Sequence, residues 1–182
     1  MAVTMAGPCS RAFWAKPPDM LAAEEKTQRV QDLMAQAKLI AAEYYVLTGK
    51  PLGISGEVAE HDAARLLGLS LAPAREASVD ATVIIDGIEE TLQIKGRAVD
   101  PAKRYVGRVS KMKLEPRFDA ALLVLMDKAS FETLEIWRAE YEAVAQRLTA
   151  PGSKSRNERG SMGISQFKSI ARKIWPSEGA AG

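Results

Sequence analysis

The feature that most constrains the fold of this chain is a pair of strand-like stretches joined by a tight turn. Residues Asp80–Ile85 form an apolar run, Asp86-Gly87 follows, and Thr91–Lys95 resumes the strand pattern. An Asp-Gly pair between two such runs is a strong short-range signal for a β-hairpin, because both turn positions need a positive φ. The sequence therefore predicts an antiparallel hairpin, and the rest of the sheet must form around it.

Three polar residues lie near the open end of this hairpin. Asp80 starts the first strand, and Gln93 and Lys95 stand at the end of the second. Side chains two residues apart on a strand share a face, so Gln93 and Lys95 emerge together while Ile94 turns into a core. A carboxylate, an amide and an ammonium group at one place suit a divalent-metal site that handles phosphate. The alternative is that Lys95 is a strand lysine that forms a salt bridge with Asp80.

Composition limits the class of protein. At 182 residues, with 47% apolar and 26% charged residues, the chain can form one domain with a substantial core. It has no apolar run of about 18 residues that would span a membrane, and its start lacks the apolar stretch of a secretory signal. We therefore expect a cytoplasmic protein with no membrane partner. A single cysteine, Cys9, and a single histidine, His61, exclude a disulfide framework and a Cys/His metal centre.

Apolar periodicity and Gly or Pro stop signals predict the remaining elements. The predicted order is a flexible arm over residues 1–19, helices over 20–48 and 57–67, the hairpin, buried strands over 119–126 and 131–137, a helix over 138–148, and a basic loop leading to a last helix over 164–174. This pattern predicts an α/β domain over residues 20–150, with the segment 151–182 packed on or beside it.

A net charge of only +2 hides two basic segments. Between Lys95 and Arg117 eight basic residues accompany two acidic ones, and between Pro151 and Trp175 six accompany one. Such segments suit a polyanion-binding surface, although solvated loops and helix faces explain each of them equally well. The candidate nucleic-acid contacts are Arg97, Lys103, Arg104, Arg108, Lys111, Lys154, Arg156 and Arg159.

The helix before the hairpin carries two carboxylates, Glu57 and Glu60, one turn apart on the same face. A carboxylate near a helix N-terminus is favoured by the helix dipole, so Glu57 could simply stabilise the first turn. The order along the chain favours a different role. A helix with carboxylates precedes a strand that starts with Asp80, and a strand with Gln93 and Lys95 follows.

This order resembles the PD-(D/E)XK nuclease superfamily. Its restriction-endonuclease-like fold is an α/β fold, a mixed β-sheet flanked by helices. The matching stretch runs from Gly56-Glu57 through Ser78-Val79-Asp80 to Leu92-Gln93-Ile94-Lys95, and it covers roughly half of the chain. Val79 stands where the superfamily has a proline.

The resemblance implies roles for individual residues. Asp80 looks like the metal-binding aspartate, Lys95 matches the motif lysine, and Glu57 (or Glu60) matches the helix carboxylate. Gln93 stands in place of the second acidic residue, as in Mrr-like members. Fewer anionic ligands then remain for the metal.

The implied activity is metal-dependent hydrolysis of phosphodiester bonds in DNA, in a restriction, defence or repair setting. Asp80, Glu57, Gln93 and the Ile94 carbonyl would hold Mg²⁺, or Mn²⁺ in its place, and the metal would polarise the phosphate and acidify a water. Lys95 would orient or deprotonate that water. The implied partner is duplex DNA, and because cutting both strands asks for two sites, a homodimer is expected.

Two other interpretations remain open from the sequence. The first is a catalytically inactive nucleic-acid-binding or interaction module with the same fold, which the glutamine at position 93 favours. The second is a structural α/β domain whose hairpin holds only an ion pair.

Overall fold

The tight turn of the hairpin forms at Asp86 and Gly87, as the sequence predicts. The computed structural model describes residues 22–73, 79–103, 106–151 and 160–176. Asp86 and Gly87 have φ values of 53° and 79°, and the strands on either side are antiparallel. The register pairs Ala81 with Leu92, which places Asp80 at the open end of the hairpin beside the second strand.

Helices and strands alternate irregularly along the described chain. In order they are α1 (Ala23–Thr48), α2 (Ser55–Leu67), β1 (Ser70–Leu71), β2 (Ala81–Ile85), β3 (Ile88–Val99), β4 (Ala120–Asp127), β5 (Thr133–Glu140), α3 (Tyr141–Thr149), α4 (Ile164–Lys168) and β6 (Arg172–Trp175). The six strands form one sheet in chain order. β3 and β4 run parallel, whereas the other neighbouring pairs are antiparallel. The predicted fold class, a mixed sheet flanked by helices, is confirmed.

β4 is the centre of the domain. Its residues Ala120–Met126 are all buried, as expected for a continuous apolar run covered on both faces. Leu122 and Val124 belong to the core on the α2 face, and Leu123 and Leu125 belong to the core under α3 and α4. The sheet therefore has two separate cores, and α2 covers one of them. None of the described helices is both long enough and apolar enough to cross a membrane.

The predicted elements after β4 were partly wrong. The helix predicted over 138–148 begins at Tyr141, because Arg138 is still in β5 and pairs with Leu122. The last predicted helix ends at Lys168, and Arg172–Trp175 forms the edge strand β6 instead. Pairing with β5 overrides local helix preference there, because β5 would otherwise expose a row of unpaired backbone groups. The described part of the C-terminal segment thus adds one strand, Arg172–Trp175, to the sheet.

Other boundaries also differ from the sequence prediction. The second hairpin strand continues past Lys95 to Val99, because β4 runs beside it over its whole C-terminal half. The helix expected from residue 20 begins at Ala23. The predicted arm over residues 1–19 and most of the basic loop lie outside the described residues.

Candidate active site at the open end of the hairpin

Asp80 lies where β2 leaves the edge of β3. Its backbone N–H donates to the Leu92 carbonyl at 2.8 Å. Its side chain then continues the pairing, since Oδ2 accepts the backbone N–H of Ile94 at 2.6 Å. The N–H and C=O of one residue point to the same neighbouring strand in an antiparallel pair. Both backbone groups of Ile94 therefore point to this edge instead of pairing with a strand there: its N–H donates to Asp80, and its carbonyl accepts from Lys95 Nζ.

Lys95 reaches the same edge. Its Nζ donates to the Ile94 carbonyl at 2.8 Å and to Asp80 Oδ2 at 3.2 Å. The salt bridge between Lys95 and Asp80 that the sequence leaves open is present, and the two side chains are 18% and 23% exposed. Within the described part of the chain, no hydrogen bond reaches the other carboxylate oxygen, Oδ1. The edge therefore holds an accessible carboxylate, an ammonium group and a backbone carbonyl.

Glu60 is the helix carboxylate that interacts with this pair. Burial raises the pKa of the Glu60 carboxyl, Asp80 raises it further, Lys95 lowers it, and Glu57 raises it. Glu57, the residue preferred from the sequence, is exposed on the first turn of α2. The structure therefore favours Glu60 over Glu57 as the helix contribution to the site. A half-buried carboxyl whose pKa is raised by burial and by a second carboxylate is a recurring property of functional sites.

We expect Glu60→Gln to stabilise the folded protein at pH 7. Because the folded-state pKa of Glu60 lies above its ordinary value of 4.5, the folded protein binds this proton more tightly than the unfolded chain. The free energy of unfolding therefore falls as pH rises from 4.5 through the raised pKa and stays lower above it. A glutamine side chain does not ionise, so the Glu60→Gln variant does not lose this part of the free energy of unfolding. Urea denaturation should show a gain of up to ~1 kcal/mol at pH 7, limited by solvent screening.

The matched control for this measurement is Glu89→Gln, which removes an exposed carboxylate near the turn of the hairpin. It should change the free energy of unfolding at pH 7 little. The gain in Glu60→Gln should shrink as pH falls toward 4.5 and below, because the wild-type carboxyl, whose pKa burial raises, takes up its proton there. A variant that is less stable than wild type at pH 7 would contradict the expected electrostatic strain at Glu60.

Gly96 determines how closely α2 approaches β3. A Cβ atom at this position would lie 2.0 Å from the Ser55 carbonyl oxygen and 2.6 Å from the Ala59 Cβ. Only glycine permits this contact, which brings the first turns of α2 against the strand directly after Lys95. Sequence reasoning missed this positioning role. Its signal is a glycine inside a strand, immediately after the Gln-x-Lys pattern.

Gln93 is held on the other side of β3 from Ile94. Its side chain is only 3% exposed, and its Nε2 donates to the Lys113 carbonyl at 3.4 Å. Its neighbour on the paired strand β4 is Ala121, which belongs to the core under α3 and α4. The amide therefore contacts the segment that follows β3. Its role as a metal ligand stays a prediction.

The described residues include half of the candidate nucleic-acid contacts. Arg104, Lys154, Arg156 and Arg159 lie outside them. Arg97 is half-buried and shares a strand face with Lys95. Arg108 is exposed, and its Nε donates to Ser161 Oγ at 3.1 Å. Lys103 and Lys111 are both exposed on the segment after β3. Basic side chains therefore lie on the strand that carries Lys95 and on the segment directly after it.

Two ion pairs that sequence reasoning missed each contain one buried charged residue, and they serve the fold. Arg138 is fixed by Glu140 at 2.9 and 3.0 Å and by Glu90 at 2.8 Å, and these contacts raise its pKa, Glu140 most of all. On α2, Asp62 is buried and accepts from Lys38 at 2.8 Å. In both pairs the charges are compensated within the domain, as a buried charge requires.

The fold and this edge define the class of the protein as a mixed α/β domain with a carboxylate–lysine site at the open end of a hairpin. No protein-family model matches the sequence, and no curated protein matches it significantly. Among the described residues, no group of three or more His, Cys, Asp or Glu side chains is placed to hold a metal ion. The resemblance to PD-(D/E)XK nucleases rests on the motif residues and their order.

Proposed function

We propose that this protein is a metal-dependent endonuclease that hydrolyses phosphodiester bonds in DNA at the open end of the hairpin. One observation carries the proposal. Asp80 and Lys95 meet at the backbone of Ile94, and Glu60 of α2 interacts electrostatically with both side chains. An ion pair alone would need only Asp80 and Lys95. The additional half-buried carboxylate strains the fold electrostatically, which is a common property of catalytic groups.

The donor atoms at this edge fit Mg²⁺. Asp80 and Glu60 offer carboxylate oxygens, and Ile94 offers a carbonyl oxygen on the same edge. Hard divalent cations prefer such oxygen ligands and commonly keep several waters. Bound there, Mg²⁺ or Mn²⁺ would act as a Lewis acid on the phosphate and lower the pKa of a water. Glu57 and Gln93 stay candidate ligands on the sequence argument.

Lys95 supplies the positive side chain of the proposed site. Its ammonium group is fixed by two acceptors, the Ile94 carbonyl and Asp80 Oδ2. A cation held in place before the reaction can stabilise the negative charge that develops on the attacked phosphate. It can also orient the attacking water through one of its donors. We therefore assign it a catalytic role.

The basic residues along β3 and after it support DNA as the substrate. Arg97 follows Lys95 on the same strand face, and Lys103, Arg108 and Lys111 are exposed on the next segment. Such side chains neutralise backbone phosphates and position a duplex without reading its sequence. We propose that they hold the DNA across the edge that carries Asp80.

Replacing Lys95 with alanine is expected to lower Mg²⁺-dependent nicking of supercoiled plasmid by about 10²–10³-fold, the usual effect of removing one group that stabilises transition-state charge. DNA affinity, measured by fluorescence anisotropy at fixed salt, should change little because Arg97 and the following segment remain. Lys50→Ala is the matched control, since it removes the same charge from an exposed position after α1. Equal nicking by Lys95→Ala and Lys50→Ala would exclude the catalytic role of Lys95.

A catalytically inactive nucleic-acid-binding module is the second candidate. The observation that favours it is Gln93, a neutral amide that is buried and contacts the Lys113 carbonyl. This candidate predicts that wild-type protein binds duplex DNA but neither takes up Mn²⁺ nor nicks plasmid. Titration calorimetry with Mn²⁺ and the plasmid assay separate the two functions. Wild-type protein that binds neither DNA nor metal would exclude both.

A further inference from the structure

Helix α1 carries an apolar stripe on its exposed surface. Four of its members, Leu33, Ile40, Tyr44 and Leu47, are 43%, 60%, 40% and 76% exposed. With two half-buried members the stripe comprises Val30, Leu33, Ala37, Ile40, Tyr44 and Leu47. These positions alternate in steps of three and four residues, the spacing of the a and d positions of a coiled coil. We call this set the α1 stripe.

The α1 stripe is not the surface that attaches α1 to the domain. The helix is anchored through Ala41, which is fully buried, and through Lys38, which binds Asp62 of α2 at 2.8 Å. Neither residue belongs to the stripe. The stripe is a continuous row of exposed and half-buried apolar side chains along this helix, and such a surface indicates an interaction site.

We propose that the α1 stripe pairs with the same stripe of a second copy of this chain, as two antiparallel helices about a twofold axis. The register that overlaps the two helices over their whole length places Val30 opposite Ile40 of the second copy. It also places Leu33 opposite Ala37 of the second copy. Because the axis repeats each contact, apolar residues meet from Val30 to Ile40, along about 15 Å of helix at 1.5 Å per residue.

Flanking charges support this register. Val30 and Tyr44 occupy a positions of the stripe. Arg29 directly precedes Val30, and Glu43 directly precedes Tyr44. Both are exposed, and in the described part of the chain neither forms an ion pair. In the fully overlapped antiparallel pair Arg29 lies beside Glu43 of the second copy, once at each end. The same register places Lys26 against the Tyr44 ring, a favourable cation–π contact.

The stripe can be tested with two lysine substitutions on the same helix. Ile40→Lys places a charge in the centre of the stripe, whereas Leu39→Lys changes an apolar residue that is 72% exposed and lies off the stripe. Both sites are on the surface, so both variants should fold, which circular dichroism checks. By sedimentation at tens of micromolar, wild type and Leu39→Lys should have twice the chain mass of 19.7 kDa, and Ile40→Lys should be monomeric.

Charge reversal tests the antiparallel register. Arg29→Glu should weaken the dimer by roughly tenfold, because like charges then meet at both ends. The double variant Arg29→Glu/Glu43→Arg restores opposite charges and should restore the dimer. A monomeric wild type, or no recovery in the double variant, overturns the proposal. Loss of the dimer in Leu39→Lys also overturns it, since Leu39 borders the groove between α1 and α2. None of these outcomes depends on nuclease activity.

Discussion

Asp80→Asn is expected to abolish Mg²⁺-dependent cleavage of plasmid DNA, with a loss of at least about 10³-fold, because the metal loses its main anionic ligand. The variant keeps the shape of the side chain and an oxygen that can accept the Ile94 N–H, which Asp80 Oδ2 accepts at 2.6 Å. It removes only the negative charge. Mn²⁺ affinity by titration calorimetry should fall with the activity.

The control for Asp80→Asn is Glu89→Gln. Glu89 is an exposed carboxylate near the turn of the same hairpin, so its replacement changes the net charge equally. It should leave cleavage and Mn²⁺ affinity unchanged. The ion pair of Asp80 with Lys95 is partly exposed, so stability should fall by no more than ~1 kcal/mol. An Asp80→Asn protein that is folded and cleaves like wild type would remove the proposed active site.

The second large effect is expected from Gly96→Ala. The added Cβ would lie 2.0 Å from the Ser55 carbonyl oxygen, which belongs to the backbone and cannot rotate away. α2 must shift outward, so part of its packing on the sheet is lost. We expect the free energy of unfolding to fall by about 2–3 kcal/mol, the upper range for overpacked sites. Urea denaturation measures this change.

Gly53→Ala is the matched control for Gly96→Ala. An added Cβ at Gly53 would meet no atom within 4 Å, and this glycine is exposed in the turn between α1 and α2. It should change stability by less than about 0.5 kcal/mol. A loss below about 1 kcal/mol in Gly96→Ala would show that α2 can move at little cost. The approach of α2 would then not be what fixes Glu60 beside Asp80.

These effects share one physical origin. The proposed site places two carboxylates near a single lysine, and burial disfavours the charged form of Glu60. Removing a charge from Glu60 should stabilise the fold, whereas removing the charge of Asp80 should end metal binding. A divalent cation would relieve the same repulsion, because it adds positive charge where the fold has too little.

Local sequence signals were enough for the elements that carry the site. The turn at Asp86 and Gly87 follows from two residues that tolerate positive φ, which both adopt. The helix with Glu57 and Glu60 ends where Gly68 takes a left-handed conformation with φ of 68°. The burial of Ala120–Met126 follows from an uninterrupted apolar run. These signals involve neighbouring residues only, so they do not depend on the rest of the fold.

Other features depended on how the elements pack. β6 forms because β5 needs a partner, although its own sequence resembles the end of a helix. Glu60 interacts electrostatically with Asp80 and Lys95, because the contact of α2 with Gly96 brings the first turns of the helix against β3. The strand pattern puts Gln93 and Lys95 on one face, yet Lys95 binds the Ile94 carbonyl, whereas the Gln93 amide donates to the Lys113 carbonyl.

The sequence by itself determined the hairpin, the mixed α/β class and the residues Asp80 and Lys95 as a pair, because turn chemistry and periodicity act over a few residues. The tertiary structure alone decided which helix carboxylate joins them and where the Gln93 amide points. It also decided that the α1 stripe stays outside the core. Distances between separate elements follow from packing and register, which no single segment contains.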